Sequence, residues 1–179
     1  SSAASDVYKR QAYDILDRET TGALTPPPVK RGVGTEMEEK RALLTVSFGT
    51  AAEEARREEI GGVEEALRRR VPELPFARAY TSPTIRRILA QRGTAVPSLE
   101  EALEEQLSAG VEHLYLLPTH LLPGYEYDAI AATAEQFRPR FRDLRLAPPL
   151  MGDTDMVRAL AGVLMERWRR LLGLSLIHI

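Results

Sequence analysis

The amino-acid sequence predicts an α/β domain built on a doubly wound, mainly parallel sheet. Two observations support this fold class. Short apolar runs of strand length alternate along the chain with longer segments whose apolar residues recur at helical spacing. Such an alternation is typical of parallel sheets that are covered by helices on both faces.

The predicted strands are apolar runs that end at glycine, proline or polar residues. The first run, ALLTVSF at 42–48, is followed directly by Gly49 and Thr50. Strands that are buried on both faces read as nearly continuous apolar runs, which is the pattern seen here. The other predicted strands lie at 75–82, 113–119 and 143–150.

The predicted helices carry start and stop signals. Ser82 followed by Pro83 is a favourable helix start, and Gly93 is a favourable stop for the same helix. The segment SLEE at 98–101 matches a capping box for a helix that ends near Gly110. Apolar spacing predicts the remaining helices at 51–70, 126–137 and 153–172.

Helical spacing also predicts which helix faces pack inward. In the first helix these residues stand on an otherwise charged surface, and they are Ile60, Val63 and Leu67. The helix at 126–137 is expected to bury Ile130, Ala134 and Phe137. The last helix is expected to bury Met156, Leu160, Val163, Leu164, Trp168 and Leu171.

Both ends of the chain are expected to be foreign to the domain. Residues 1–11, SSAASDVYKRQ, are what a transposase-type sequencing adapter encodes, and residues 174–179, LSLIHI, are what its reverse complement encodes. Both are interpreted as adapter artefacts. Residues 12–37 contain PPP and lack sustained periodicity, which indicates a linker or upstream sequence. The domain is assigned to residues 38–173, and the chain is interpreted as a fragment.

Composition argues against several function classes. A formal net charge of −2 provides no broad electrostatic footprint for nucleic acid. The absence of cysteine excludes disulfides and thiolate metal sites, and it fits the reducing compartment of the cytoplasm, where we expect the protein. No apolar run approaches the roughly 20 residues needed to span a bilayer. The sequence also lacks the dinucleotide, nucleoside-triphosphate and nucleophile-elbow motifs.

A ligand is expected beyond the carboxyl ends of the strands, where open α/β sheets bind their ligands. Small or polar groups follow all the predicted strands: Ser47-Phe48-Gly49-Thr50, Thr81-Ser82, Thr119-His120 and Met151-Gly152-Asp153. Helix starts follow three of these segments, and their N–H groups favour anions. Ser and Thr are also good helix caps and Gly49 suits a tight turn, so a purely structural role stays open.

Two of the histidines lie in the predicted domain. His113 opens a predicted strand, which favours a structural role, whereas His120 lies on the ligand side and is the better candidate for chemistry. A metal site usually needs three or four ligands, and no second histidine lies within helical or strand reach of His120. Glu126 and Tyr127 either complete a polar cluster with His120 or begin the next helix.

Three stretches, in this order, resemble the amino-terminal half of one enzyme family. RALLTVSFGT (41–50), FARAYTSPTIRRIL (76–89) and YLLPTHLLPGYEYDAI (115–130) are similar to the anaerobic cobalt chelatases of the class II chelatase superfamily. The resemblance implies a metal chelatase, a lyase, that inserts Co²⁺ into sirohydrochlorin during cobalamin synthesis. It also implies two similar α/β domains with the tetrapyrrole in the cleft between them. Co²⁺ would enter as a substrate, without a permanently bound cofactor.

The resemblance implies roles for residues at the predicted ligand edge. His120 is the candidate catalytic residue. The candidate substrate-binding residues are Ser47, Gly49, Thr50, Thr81, Ser82, Glu126 and Tyr127. The family's principal metal-ligand histidines lie in the second domain, beyond Gly173, so no metal ligand is assigned in this chain. The fragment is therefore expected to lack chelatase activity, and its uncovered domain face is expected to promote self-association into a homo-oligomer.

Two alternatives stay open. The first is a chelatase of the same superfamily that acts on another metal or another tetrapyrrole. The second is a non-catalytic, flavodoxin-like domain that binds a small anionic ligand at the same strand ends.

Overall fold

Four parallel strands form the sheet, in the order β2-β1-β3-β4. The computed structural model describes residues 39–172, so the segments 1–11, 12–37 and 174–179, together with Glu38 and Gly173, lie outside the described residues. The strands are β1 (Arg41–Ser47), β2 (Phe76–Tyr80), β3 (His113–Pro118) and β4 (Asp143–Leu146). Every neighbouring pair is parallel, and Leu44 of β1 stands opposite both Ala77 and Leu116. The predicted parallel α/β fold is confirmed.

Helices connect the strands. The first, α1, runs without interruption through Glu53–Ala55, a π-helical turn at Arg56–Ile60, and Gly61–Arg70. The others are α2 (Pro83–Gln91), α3 (Leu99–Ser108), α4 (Tyr125–Phe137) with a short 3-10 turn at Arg138–Arg140, and α5 (Thr154–Leu172). The predicted capping box of α3 is present, with Ser98 and Glu101 bonded to each other's backbone N–H groups. Within residues 39–172, no helix has the length and apolar character required to cross a lipid bilayer.

Helices cover the sheet on both faces. On one face, Leu44 and Leu116 pack against Leu103 of α3 and Ile130 of α4. On the other face, Leu43, Tyr115 and Leu117 pack against Leu67 of α1, and α5 adds Met156 over Leu150. Because β1 lies between β2 and β3, the chain leaves it towards β2 and later returns on its other side. That reversal is the topological switch point at which doubly wound sheets form a crevice.

Most predicted boundaries differ from the structure by one or two residues, and the end of β4 differs by four. β4 ends at Leu146 and not at residue 150, because Pro148 and Pro149 lack the N–H groups that would extend the ladder. Its last ladder contact is the bond from the Ala147 N–H to the Leu116 carbonyl, at 2.9 Å. The helix predicted at 51–70 begins at Glu53 and contains the π turn, which neither apolar spacing nor glycine content indicated.

The prediction for the buried face of α5 was partly wrong. Met156 is buried, and Leu160 and Val163 pack partly buried beside Leu150 and Val63. Leu164 and Trp168 are instead exposed, by 49% and 62% of their surface, while the side chain of Leu171 lies outside the described part of the chain. The 19-residue helix is about 28 Å long, and these contacts with the body of the domain lie in its first half. Its apolar residues also form two adjacent stripes. Met156, Leu160 and Val163 form the first stripe, which packs inward, and Leu164 and Trp168 belong to the second stripe, which is exposed.

The two stripes of α5 should differ in their effect on stability. We expect Met156→Ala to lower the free energy of unfolding by about 2 kcal/mol or more, because it leaves a cavity beside Leu150. Leu164→Gln should change it by no more than about 0.5 kcal/mol, because that side chain is half exposed. Urea unfolding followed by circular dichroism measures both. Equal losses for the two variants would contradict the exposure of the second stripe.

Candidate functional site

The carboxyl ends of β1, β2 and β3 meet at one edge of the sheet, and backbone hydrogen bonds hold the segments that follow them. The Thr81 N–H donates to the Ser47 carbonyl at 2.9 Å, and the Thr119 N–H donates to the Val46 carbonyl at 2.8 Å. A further bond runs from the Ser82 N–H to the Phe48 carbonyl at 3.3 Å. The predicted ligand edge is therefore one continuous surface centred on the end of β1.

Ser47 lies just beneath this surface. Its side chain is buried, and its hydroxyl oxygen accepts a hydrogen bond of 2.8 Å from the Thr119 hydroxyl. The pair links β1 to β3 across the switch point. Ser47 thus lies close to the predicted ligand position but shows no surface to it, so its contribution runs through Thr119.

Thr50 and Ser82 use their hydroxyl oxygens locally. The Thr50 hydroxyl accepts from the Ala52 N–H at 3.2 Å, and the Ser82 hydroxyl accepts from the Ile85 N–H at 3.4 Å. The second contact caps α2, as the Ser-Pro start predicted. The capping interpretation therefore describes Ser82, whereas Thr50 makes a local contact in the loop before α1.

Gly49 makes a turn that only glycine accommodates easily. Its φ is +91°, and a Cβ atom at this position would lie 2.6 Å from Cδ2 of Tyr80. The Tyr80 ring is completely buried beneath the turn. Gly49 therefore shapes the edge of the site through its backbone and through the close approach of this ring.

Thr81 and Glu126 join opposite sides of the edge. The Thr81 hydroxyl donates to Oε2 of Glu126 at 3.3 Å, although one residue follows β2 and the other belongs to the first turn of α4. Since β1 lies between β2 and β3, this bond passes above the end of β1. The Glu126 carboxylate is exposed at this edge.

Tyr127 has a different role from its neighbour. Its hydroxyl donates to the carbonyl of Ala147 at 3.0 Å and so ties α4 to the end of β4. Burial raises the pKa of this phenol, and the nearby Asp128 carboxylate raises it further. The two predicted alternatives for Glu126 and Tyr127 thus coexist: both residues begin α4, but only Glu126 points to the polar cluster.

His120 is the half-buried imidazole of the edge. Both ring nitrogens are shielded from solvent, and neither has a hydrogen-bond partner among the described residues. Burial lowers the pKa of His120, and the Glu126 carboxylate acts weakly in the opposite direction. The imidazole is therefore neutral at neutral pH, with a nitrogen lone pair that no neighbouring donor uses.

His113 lies at the opposite end of β3, as expected for a structural residue. Its Nε2 is 3.0 Å from a carboxylate oxygen of Glu39. Within the described part of the chain, His113, Glu39 and Glu112 form the one group close enough to converge on a metal ion. The guanidinium of Arg142 already contacts both carboxylates and supplies their positive charge. This cluster is best explained as an ion-pair network.

Sequence reasoning missed two features of the edge. The first is an apolar rim around His120 formed by exposed side chains of Phe48, Leu121, Leu122 and Tyr125. The second is Glu64 of α1, which was placed on a charged surface but is 1% exposed. Its spacing of four residues after Ile60 and three before Leu67 was the available signal, because those positions share one helix face.

A matched pair of glycine substitutions tests the turn geometry. We expect Gly49→Ala to lower the free energy of unfolding by about 1 to 3 kcal/mol, because of its positive φ and the contact with Tyr80. Gly62→Ala should raise it by about 1 kcal/mol, because this helical site has no neighbour within 4 Å of a new Cβ. Thermal or urea unfolding provides both values, and a harmless Gly49→Ala would refute the strained-turn assignment.

The lowered pKa of His120 predicts a pH dependence of stability. The unfolded chain binds a proton at this group more readily than the folded chain does, so stability is lost as the pH falls below 6.5. His120→Gln should reduce this loss, whereas His113→Gln, at the opposite edge, should retain the part due to His120. Urea unfolding at a series of pH values measures the difference. An identical pH profile for wild type and His120→Gln would contradict the assignment.

Comparisons with known proteins identify the family of this chain. Residues 41–167 match the family model described as cobalt chelatase (CbiK). The sirohydrochlorin cobaltochelatase of Salmonella typhimurium is 34% identical over 113 residues, which cover 63% of this chain and 43% of that protein. Sirohydrochlorin cobaltochelatase CbiKC of Nitratidesulfovibrio vulgaris is 29% identical over 128 residues, covering 70% of this chain and 45% of the relative.

The chain spans less than half the length of these curated relatives. Among solved structures, a CbiX protein of Marinobacter aquaeolei VT8 matches with a TM-score of 0.47 and 20% identity, covering 73% of this chain and 96% of that one. That score is too low to support a functional comparison. The family match extends over most of the chain and contains every residue assigned above to the ligand edge. This chain belongs to the cobalt chelatase (CbiK) family.

Proposed function

We propose that the protein acts as a sirohydrochlorin cobaltochelatase and that this chain forms one wall of its substrate cleft. The observation that carries the proposal is the position of His120, Glu126 and Thr81, which the matched segment 41–167 brings to the switch point of the sheet. Both curated relatives carry that enzyme name. Co²⁺ and the tetrapyrrole are both substrates in this reaction.

The reaction exchanges protons for a metal ion. Two pyrrole N–H protons leave the macrocycle, and Co²⁺ takes their place among the ring nitrogens, so the charge remains balanced. A neutral imidazole can accept one of these protons or bind Co²⁺ through its lone pair. His120 suits both tasks because burial keeps it unprotonated and no described residue occupies its nitrogens.

The carboxylates of sirohydrochlorin also find suitable partners at this edge. The starts of α1 and α4 have no side-chain cap: their N-cap residues are Ala52 and Gly124. Their first N–H groups therefore remain available to an anion, and the helix dipole favours negative charge there. The two starts follow β1 and β3, the strands on either side of the switch point. Carboxylate groups of a ligand above β1 would lie between them.

The exposed apolar rim supports a ligand with a flat hydrophobic surface. Phe48 follows β1, while Leu121, Leu122 and Tyr125 follow β3, and each exposes half or more of its surface. Aromatic and aliphatic side chains of this kind pack well against a conjugated ring. A small inorganic anion alone would leave them uncovered. The rim thus favours a ligand with a flat ring over a small inorganic anion, and titration distinguishes a tetrapyrrole from a flavin.

His120 and Glu126 offer at most two protein ligands to a metal ion. Stable sites for divalent transition metals usually contain three or four ligands. The remaining metal ligands would then belong to parts of the protein outside the described residues. In that case this chain should bind the tetrapyrrole but insert Co²⁺ poorly.

Tetrapyrrole titration of the 179-residue chain tests the proposal. Sirohydrochlorin should bind with a shift of its Soret absorption. His120→Ala should weaken binding about tenfold, equivalent to about 1.4 kcal/mol, because it removes the imidazole and its unpartnered nitrogens from the edge that the tetrapyrrole would cover. The matched control is His113→Gln, which should bind as the wild type does, since His113 lies at the far end of β3.

Two outcomes would overturn the proposal. No Soret shift with sirohydrochlorin, combined with binding of flavin or a nucleotide, would favour the flavodoxin-like binding domain. A shift that is unchanged in His120→Ala but lost in His113→Gln would move the ligand to the opposite edge of the sheet.

A further inference from the structure

A buried charged network lies beneath the end of β1 on the side of α1. Glu64 is 1% exposed, and Nη2 of Arg78 lies 2.5 Å from its Oε2 atom. The Thr45 hydroxyl donates to the other carboxylate oxygen at 3.4 Å. One carboxylate of α1 is thereby joined to both β1 and β2.

The ionised carboxylate is costly at this position. Burial raises the pKa of Glu64, while Arg78, Arg68 and the Thr45 hydroxyl oppose that rise. A leucine or methionine would pack between α1 and the sheet without this cost. The presence of a buried charge at such a position indicates a role other than maximal stability.

The network is connected to the ligand edge through Tyr80. Arg78 and Tyr80 share one face of β2, because side chains two residues apart in a strand point the same way. Ile60, one helical turn before Glu64, packs against the buried cluster of Tyr80, Leu89 and Val96. The Tyr80 ring in turn occupies the space where a side chain of Gly49 would lie.

The π turn at Arg56–Ile60 supports this connection. It lies in α1 between the Gly49 loop and Glu64. A π turn adds a residue to one helical turn and so changes which residues face the sheet after it. Ile60, the last residue of this turn, packs against the buried cluster that contains Tyr80, and Glu64, four residues later, contacts Arg78. Both contacts depend on the same local change of helical register.

We propose that Glu64 is a positioning residue for the ligand edge: its ion pair with Arg78 sets α1 against β2 and thereby holds the Tyr80 ring under the turn at Gly49. The Tyr80 hydroxyl takes no part, since it is buried and has no hydrogen-bond partner among residues 39–172. The ring alone supports the turn. The inference concerns the shape of the edge and does not depend on which ligand binds there.

Amide hydrogen exchange of the full chain tests the proposal without any ligand. The reporters are the N–H groups of Thr81 and Ser82, which bond to the carbonyls of Ser47 and Phe48, the two residues directly before Gly49. Glu64→Gln should accelerate their exchange about tenfold while leaving the Asp143 and Ala147 amides of the β3–β4 ladder unchanged. A purely structural role would accelerate all these amides by the same factor.

The neighbouring residue provides a matched control. Glu65 is exposed on the same helix and pairs with Arg69 four residues later, so Glu65→Gln should leave every reporter unchanged. A second pair of variants tests the ring if Glu64→Gln does not fold. Tyr80→Phe should exchange as the wild type does, and Tyr80→Leu should accelerate Thr81 and Ser82 selectively.

The proposal is overturned if Glu64→Gln leaves Thr81 and Ser82 unchanged, or accelerates the β3–β4 amides equally. It is also overturned if Tyr80→Phe and Tyr80→Leu behave alike. Because no tetrapyrrole is present in these experiments, their failure would leave the proposed chelatase function untouched. Conversely, a selective effect would stand even if sirohydrochlorin did not bind.

Discussion

The pairing of β1 with both β2 and β3 is the constraint on which the rest of the structure depends. Parallel strands that share a register end at the same edge, and β1 supplies the carbonyl groups that receive the Thr81 and Thr119 N–H groups. Those bonds determine how the three following loops stand relative to one another. Residues far apart in sequence, such as Thr81 and Glu126, come into contact only because both flank β1.

Two ionisable groups near β1, Glu64 and His120, differ in whether neighbouring residues compensate for their burial. Burial disfavours the charged form of both, raising the pKa of Glu64 and lowering that of His120. Glu64 nevertheless has Arg78 and Thr45 as partners, whereas His120 has none among the described residues. A compensated buried charge fits a fixed position in the fold. An uncompensated neutral imidazole at a crevice fits a group that awaits a ligand.

Local signals in the sequence predicted the local structure well. The Ser-Pro start of α2, the capping box of α3 and the continuous apolar run of β1 each depend on neighbouring residues, and each is present. The loops of the ligand edge were also identified, because the rule for parallel sheets needs only the strand ends. Which hydroxyls are buried and which are exposed at that edge was not predictable. The burial of Ser47 depends on Thr119, which lies on another strand.

The errors have a common physical origin in long-range packing. Helical spacing predicted that Leu164 and Trp168 face the core, but spacing contains no information on how far the sheet extends beneath α5, and both side chains are exposed. Glu64 was assigned to the surface because charge usually stays in water, and its partner Arg78 lies on a different element. The strand-end rule had pointed to His120, with Glu126 as a candidate neighbour, and the family resemblance added the substrate that such an edge would bind.

The central position of β1 also affects how the chain can be assembled during translation. Of the strands within residues 39–172, β1 is made first; its partner β2 is complete at Tyr80, whereas β3 is complete only at Pro118. Until then, one side of an apolar strand presents unpaired backbone groups, which is the kind of edge that captures strands of other chains. The nascent protein is therefore most vulnerable to misassembly while the ribosome synthesises α2 and α3. Those two helices, rich in local contacts, are what the chain can fold quickly during that interval.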